Sequence, residues 1–244
     1  PTPPPLDPQL EIFLKDYHRY FEDSMILTQT PGAALVIVMD SQVVFMQGYG
    51  LRAEGRPERV DEHTVFRIGS LSKGFASILT AMMVEEGKIQ LTDEVSKYIP
   101  SFADVRVFAG GSSLKPITAP SRAPMRVWHL LTHTAGLTYG FNYYDATDAI
   151  YRANEAEFAK ENPNPTLEQL CDRYATLPLV FEPGTSWNYS VATDVVGRLV
   201  EVVSGMRLGD FFQKRILGPL GMNDTSFCVD PAKHSRVAAL YAFD

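Results

Sequence analysis

Strand-forming patterns are concentrated in one short part of this chain, and this distribution constrains the fold more than any other feature. Residues 33–39 and 42–49 are rich in Val, Ile and Phe, and only Asp40 and Ser41 separate them. This pattern predicts two strands joined by a tight turn. From Leu91 onward the strand patterns fade and helical periodicity replaces them. Because two strands alone form a marginal sheet, the sequence predicts a mixed α/β chain whose hairpin needs further strands.

The remaining elements are predicted from apolar periodicity and from residues that begin or end helices. Thr166 is a favourable cap for the helix that follows it, and Gly205 ends the helix before it. The Gly, Ser and Pro residues of segment 109–124 predict an irregular loop. Helices are predicted over residues 7–26, 91–99, 127–132, 167–176, 194–203 and 208–217.

A further predicted helix, which begins near Ser70 and stops at Gly87, carries the first chemical pattern. Ser70 and Lys73 stand three residues apart, so both side chains project from one helix face. A serine hydroxyl is a poor nucleophile until a base takes its proton. A lysine is such a base only where desolvation or a neighbouring cation lowers its pKa. The pair is therefore a compact way to mount a nucleophile and a base on one rigid element.

The Ser-x-x-Lys spacing alone is a weak signal, because about one copy is expected by chance in this length. A second copy is present at Ser112 and Lys115, among Gly and Pro residues where no helix is predicted. An ordinary helix serine beside a solvated lysine stays open as the alternative for Ser70 and Lys73.

Composition argues against several classes of function. Asp and Glu number 29 against 22 Lys and Arg, and the net charge of −7 argues against a nucleic-acid or anionic-membrane partner. No run of about 18 apolar residues is present, so no membrane span is predicted. The two cysteines, Cys171 and Cys228, and the five histidines form no disulfide framework or metal pattern, so no cofactor or metal is expected. The compartment is left undetermined, with the cytoplasm slightly favoured over the periplasm or secretion.

Four stretches in the same order resemble the serine β-lactamase-like superfamily, which includes class C β-lactamases, penicillin-binding proteins and family VIII carboxylesterases. They are residues 66–73 (FRIGSLSK), 128–137 (WHLLTHTAGL), 181–190 (FEPGTSWNYS) and 219–225 (PLGMNDT). The resemblance runs from about residue 30 to residue 228. It implies a β-lactamase/transpeptidase-like α/β (α+β) fold, with an antiparallel sheet flanked by helices and a mostly helical subdomain.

The resemblance also implies roles for three residues. Ser70 is then the nucleophile, Lys73 lies at its hydroxyl, and Tyr189 completes the proton-transfer group. The physical chemistry agrees, because a lysine ammonium favours the phenolate form of a nearby tyrosine. The backbone N–H of Ser70 is expected to be one oxyanion donor, and the implied reaction runs through an acyl-enzyme.

Other residues of the matched stretches are expected to be structural. His133, between two threonines, is expected to be a hydrogen-bonding residue of the scaffold, and a catalytic role is the weaker alternative. Trp128 is expected in the core and His129 at the surface. The insert over about residues 140–165 is expected to supply an aromatic wall beside the pocket, from Phe141, Tyr143, Tyr144 and Tyr151.

Two departures from the family pattern affect the expected function. β-Lactamases of this type usually have Tyr-x-Asn, whereas the third position here is Val191, which has no polar group to bind a substrate amide. This favours an ester hydrolase or an acyltransferase. The family's third motif, Lys-Thr-Gly or an equivalent on a late strand, does not occur in residues 1–244. We therefore expect that a missing C-terminal segment supplies it, either as a removed piece or from another chain.

The predicted organisation has three parts. The N-terminal helix and hairpin of the α/β subdomain are expected at residues 1–64. The active-site helix and helical subdomain are expected at 65–228, and the start of a truncated return to the sheet at 229–244.

The predicted function is that of a serine hydrolase, a carboxylesterase on short acyl esters. The alternatives are a β-lactamase, a D-amino-acid peptidase, an acyltransferase or, from another class, a non-catalytic binding protein of the same fold. The expected partner is a small-molecule ester or amide substrate, with no nucleic acid.

Overall fold

The computed structural model describes residues 8–241, and their contacts divide the chain into two compact units. One unit, here called the sheet unit, consists of Pro1–Gly69 and Phe227–Asp244. The other, the helical unit, consists of Ser70–Ser226.

The sheet unit contains the predicted N-terminal helix and hairpin. Helix α1 (Pro8–Leu27) precedes strands β1 (Gly32–Met39) and β2 (Gln42–Gly50), which pair antiparallel. Both turn residues, Asp40 and Ser41, have positive φ angles of 48° and 61°. This is the conformation that a two-residue hairpin turn requires, so the predicted turn is confirmed.

Tyr49 on β2 joins the hairpin to α1. Its ring is buried and lies 4.6 Å from the ring of Phe21, and its hydroxyl is 3.0 Å from Nδ1 of His18. These contacts cover one face of the hairpin with the apolar stripe of the helix.

The opposite face of the hairpin is apolar and open. Val36 lies opposite Met46 and Val38 opposite Val43, and these four side chains are between 48% and 58% exposed. Within residues 8–241 this sheet has two strands. Its second face therefore presents hydrophobic side chains to solvent.

The C-terminal segment of the sheet unit returns to the residues that precede the active-site helix. After a 3-10 turn over Pro231–Arg236, the Val65 N–H donates to the Arg236 carbonyl at 2.9 Å. The Ala238 N–H donates to the Val65 carbonyl at 2.9 Å. The return is thus a short backbone bridge beside Val65.

The helical unit is built around one central helix. Its helices are α2 (Ser72–Glu85), α3 (Val127–Leu131), α4 (Ala146–Glu161), α5 (Leu167–Thr176), α6 (Ala192–Ser204) and α7 (Leu208–Phe212). Helix α6 contacts α2, α3, α5 and α7, and its Val195 and Leu199 are almost fully buried. Leu79 and Met83 of α2 are fully buried in the same apolar cluster.

The predicted helix ends are confirmed where local chemistry determines them. Thr166 accepts the N–H of Gln169 at the start of α5, and the Gln169 side chain accepts the Thr166 N–H at 2.8 Å. Gly205 ends α6 in the left-handed conformation with a φ of 68°.

The irregular loop predicted for residues 109–124 is wrong. Strands β3 (Arg106–Gly111) and β4 (Pro116–Pro120) form a second antiparallel hairpin, and the second Ser-x-x-Lys lies in its turn. Strand β3 is also held from outside the hairpin, because Leu179 exchanges backbone hydrogen bonds of 2.7 and 2.8 Å with Arg106 and Phe108. This tertiary pairing overrides the Gly and Pro signals of the local sequence.

Two helix predictions also need correction, and one helix was missed. The helix predicted over residues 91–99 is only a 3-10 turn at Val95–Lys97, followed by another at Pro100–Asp104. The segment predicted as helix 208–217 changes from α7 to a π-helical turn at Gln213–Leu217. Helix α4 was not predicted, although Asp145 caps its start by accepting the N–H of Thr147 at 2.7 Å.

Burial of α2 against α6 predicts a large difference between two neighbouring positions. We expect Leu79→Ala to lower the free energy of unfolding by about 2–5 kcal/mol, because it leaves a cavity in the core. We expect the matched change Ile78→Ala, at a side chain that is 52% exposed, to cost no more than about 1 kcal/mol. Urea unfolding of both variants is the measurement, and equal losses would contradict the described packing.

Candidate active site

Ser70 lies in a 3-10 turn, Gly69–Leu71, that leads directly into α2. Lys73 is in the first turn of that helix, and its Nζ donates to Ser70 Oγ at 2.9 Å. The Tyr189 hydroxyl donates to the same oxygen at 2.7 Å, although 119 residues separate the two in sequence. The structure therefore brings together the three predicted site residues. All three belong to the helical unit.

Backbone contacts between two of the matched stretches place Tyr189. The Asn188 N–H donates to the His133 carbonyl at 2.9 Å, and the Asn188 side-chain amide donates to the Leu137 carbonyl at 3.0 Å. The Val180 N–H donates to the Gly136 carbonyl at 2.7 Å. The stretch 128–137 is thus bonded to the segment that leads into Tyr189, both at its start and at the residue directly before the tyrosine.

Two glycines permit this close approach. Gly136 has a φ of 85°, and a Cβ there would lie 2.3 Å from the Phe181 carbonyl oxygen. Gly184 has a φ of 87°, and a Cβ there would lie 2.8 Å from Nε2 of His129. Any larger residue would push the Tyr189 segment away from its support.

His133 contacts Tyr189 and Ser190. Its Nδ1 lies 3.3 Å from both the backbone N–H and the hydroxyl of Ser190, and its ring centroid is 4.8 Å from that of Tyr189. Burial, and then the charge of Lys73, lower the His133 pKa, so its ring is neutral at pH 7. These contacts are those of a residue that supports Tyr189.

The electrostatics separate the roles of Lys73 and Tyr189. Burial alone would lower the Lys73 pKa, but the phenols of Tyr189 and Tyr139 favour the ammonium form and the net shift is upward. Interaction with Lys73, and then with Ser70, lowers the Tyr189 pKa below its ordinary value. These shifts run opposite to the low-pKa lysine considered from the Ser-x-x-Lys spacing, because the phenols favour the Lys73 ammonium and the ammonium favours the Tyr189 phenolate.

Tyr139 and Asp194 were not singled out from the sequence, yet both act on this charge distribution. Tyr139 lies two residues beyond the second matched stretch, and its ring centroid is 5.7 Å from Lys73 Nζ. Asp194, in the first turn of α6, is partly buried. Burial raises its pKa, and Lys73 opposes that rise. Position beside a matched stretch was the only sequence signal for Tyr139.

Three expectations about the surrounding aromatic residues are wrong. Trp128 is 37% exposed, whereas His129 is 5% exposed and accepts the Arg126 N–H at Nδ1 as part of the α3 cap. An imidazole nitrogen can accept a backbone N–H at a helix start, whereas the indole N–H of tryptophan can only donate. This difference explains why His129 is buried and Trp128 is exposed. Tyr151 does not belong to an aromatic wall, because it is fully buried in the core.

The other aromatic residues of the insert are exposed but have different neighbours. Phe141 stacks on Tyr139 with centroids 4.5 Å apart, whereas the Tyr143 ring lies 4.0 Å from the guanidinium of Arg152.

Val191 is 1% exposed and packs in the apolar core. The position after Tyr189 and Ser190 therefore offers no polar group to a ligand.

A sequence profile described as Beta-lactamase matches residues 18–244. This chain belongs to the β-lactamase family. Among curated relatives, lovastatin esterase of Penicillium rubens is 35% identical over 178 residues, covering 72% of this chain and 42% of the relative. Esterase EstB of Burkholderia gladioli is 29% identical over 224 residues, covering 91% and 53%.

Solved structures show the same β-lactamase-family fold. The hydrolase EstCE1, described as having promiscuous acyltransferase activity, superimposes with a TM-score of 0.73 at 26% identity, over 90% of this chain and 54% of that one. The predicted α/β, β-lactamase/transpeptidase-like fold is thereby confirmed. The chain spans about half the length of the curated relatives it matches.

Among residues 8–241, no helix has the length and apolar content needed to cross a membrane.

Proposed function

We propose that this β-lactamase-family protein is a serine hydrolase that works through an acyl-enzyme, and that its substrates are carboxylic esters with short acyl groups. One observation carries the proposal: Ser70 Oγ lies 2.9 Å from the Lys73 ammonium and 2.7 Å from the Tyr189 phenol. A nucleophile in contact with a cation and a tyrosine of lowered pKa has what acyl transfer needs.

Acylation follows from this geometry. When Tyr189 is a phenolate, the 2.7 Å contact reverses, and the Ser70 hydroxyl donates to the tyrosine oxygen. As Ser70 Oγ bonds to the ester carbonyl carbon, its proton passes to Tyr189 and the carbonyl electron pair moves to the oxygen. The Ser70 N–H, at the start of α2, stabilises that oxyanion. When this tetrahedral adduct collapses, the bond from the carbonyl carbon to the ester oxygen breaks. The departing alkoxide takes the proton from Tyr189.

Deacylation repeats these steps with water as the nucleophile. Tyr189, again a phenolate, accepts the water proton and returns it to Ser70 Oγ as the acyl group leaves. Lys73 remains an ammonium throughout, because its raised pKa keeps its proton in place. If an alcohol takes the place of water, the same steps make the protein an acyltransferase.

Support for esters over β-lactams or D-amino-acid peptides comes from Val191. Its buried apolar side chain cannot hydrogen-bond the amide of a penicillin side chain or a peptide. The named esterases among the relatives agree with this preference. A non-catalytic binding protein is disfavoured, because the three groups are in hydrogen-bond contact rather than merely retained in sequence.

We expect Lys73→Ala and Tyr189→Phe each to lower kcat/KM for a chromogenic butyrate ester by about 10²–10⁴-fold. His133→Ala, which removes a supporting contact, should lower kcat/KM by less than about tenfold beyond any loss of stability.

Labelling with a fluorophosphonate followed by peptide mapping should place the adduct on Ser70, with Ser112 as an internal control. An adduct on Ser112 or Ser190 with Ser70 unmodified would contradict the proposal.

The substrate preference is tested by comparing the butyrate ester with the cephalosporin nitrocefin. We expect a higher kcat/KM for the ester, since a missing buried hydrogen bond to the lactam side chain is worth on the order of 1–3 kcal/mol. Val191→Asn is not a suitable probe, because the position is buried in the core. Faster turnover of nitrocefin than of the ester would overturn the preference.

We also propose that further strands complete the β1–β2 sheet in the active protein. The open apolar face formed by Val36, Val38, Val43 and Met46 supports this proposal, since exposed sheet faces and edges of this kind favour association. In the family pattern those strands carry the second oxyanion donor, whose loss costs about 2.7–4 kcal/mol of transition-state stabilisation. The strands would come from a further segment of the same protein or from a second polypeptide.

Denaturing mass spectrometry of the active preparation tests this proposal. We expect full esterase activity only in samples that contain polypeptide beyond the 27.2 kDa of residues 1–244. Undiminished kcat/KM from a sample holding only the 27.2 kDa species would show that these residues are sufficient.

A further inference from the structure

Lys73 faces two tyrosine rings rather than one. Its Nζ lies 4.8 Å from the ring centroid of Tyr189 and 5.7 Å from that of Tyr139, both within the range of a cation–π contact. The two rings are themselves 5.4 Å apart and tilted by 46°. The ammonium therefore lies against a pair of contacting aromatic rings, and only one of them belongs to the matched family pattern.

Tyr139 is held firmly enough to act on its neighbour. Asn142 donates from its side-chain amide to the Tyr189 carbonyl at 3.0 Å and to the Thr138 hydroxyl at 3.1 Å. That hydroxyl in turn donates to the buried carboxylate of Asp148 at 2.6 Å. The segment that carries Tyr139 is thus tied directly to the backbone of Tyr189. The relative position of the two rings is fixed by these bonds.

The two tyrosines have opposite protonation tendencies. Burial raises the Tyr139 pKa and the carboxylate of Asp194 raises it further, against a smaller opposing effect of Lys73. The Tyr189 pKa is lowered. At neutral pH Tyr139 is accordingly a neutral phenol. It interacts with the ammonium through its ring and its hydroxyl without competing with Tyr189 for the role of proton acceptor.

We propose that Tyr139 is a positioning residue for Lys73, whose ring holds the ammonium group against the Ser70 hydroxyl and the Tyr189 phenol. This inference rests on the proposed function of Ser70, Lys73 and Tyr189. Tyr139 acts through Lys73, so its contribution should disappear when Lys73 is absent. A residue that only stabilised the fold would cost the same in either background.

A double-mutant cycle on Ser70 labelling by a small fluorophosphonate, in the active protein, tests the proposal. We expect Tyr139→Leu to slow labelling on the order of tenfold, as for one lost cation–π contact. In the Lys73→Ala background the same change should have no further effect. With the butyrate ester, kcat should fall while KM stays within about twofold, because the contact is to Lys73 and not to substrate.

Two matched variants make the result decisive. Tyr139→Phe retains the ring over Lys73 and loses only the hydroxyl, so it should stay within about threefold of the unsubstituted protein. If the leucine variant fails to fold, Tyr139→Met, which also removes the ring, takes its place in the cycle. Tyr98→Leu removes another partly buried tyrosine with a cation–π contact, to Lys97 and not to Lys73, and should leave labelling unchanged.

The outcomes separate the two proposals. If Ser70 is not labelled in the unsubstituted protein, the proposed function and this inference both fall. If Ser70 is labelled normally but Tyr139→Leu is as fast, the positioning role alone is wrong. An equal loss with and without Lys73 would also overturn it, since that result describes a structural residue.

Discussion

The contact between the Lys73 ammonium and the Tyr189 phenol is the interaction on which the rest of the site depends. A serine and a lysine at helical spacing are not reactive by themselves, because a protonated lysine cannot accept the serine proton. The phenols at Lys73 keep its proton in place, and the cation in turn makes Tyr189 the more acidic phenol. The resulting pair brings a phenol of lowered pKa and a positive charge to one oxygen, Ser70 Oγ, at 2.7 and 2.9 Å.

The scaffold of the helical unit serves this contact by joining segments that are distant in sequence. Helix α2 carries Lys73, and the 3-10 turn that leads into it carries Ser70. The buried face of α2 packs on α6, which begins three residues after Tyr189. The backbone bonds of His133 and Gly136 to the Tyr189 segment complete the arrangement. An error of 1 Å in any of these supports would separate the phenol from the serine, which explains why two glycines with positive φ angles are found there.

Sequence alone predicted what local chemistry determines. Thr166 and Gly205 identified helix ends, and Asp40 and Ser41 identified a hairpin turn. The family resemblance of the ordered stretches, rather than local chemistry, predicted Ser70, Lys73 and Tyr189 as site residues, and the structure brings their side chains together. It failed where distant partners decide. Strand β3 depends on backbone bonds to Leu179, which lies far away in sequence. His129 is buried because it caps α3, and Tyr139 comes close to Lys73 only because the folded chain brings their segments together. Neighbouring residues predict none of these contacts, and Tyr139 had only its position beside a matched stretch as a signal.

The most direct test of this account is a titration of Tyr189 itself, by NMR of isotope-labelled tyrosine with the Tyr189→Phe variant used for assignment. We expect a Tyr189 pKa below the ordinary tyrosine value of about 10. We expect this pKa to rise when Lys73 is replaced by methionine, in parallel with a slower rate of Ser70 labelling. A Tyr189 pKa that is not lowered, or one that is unchanged in Lys73→Met, would contradict the central claim that the lysine cation makes the tyrosine the base.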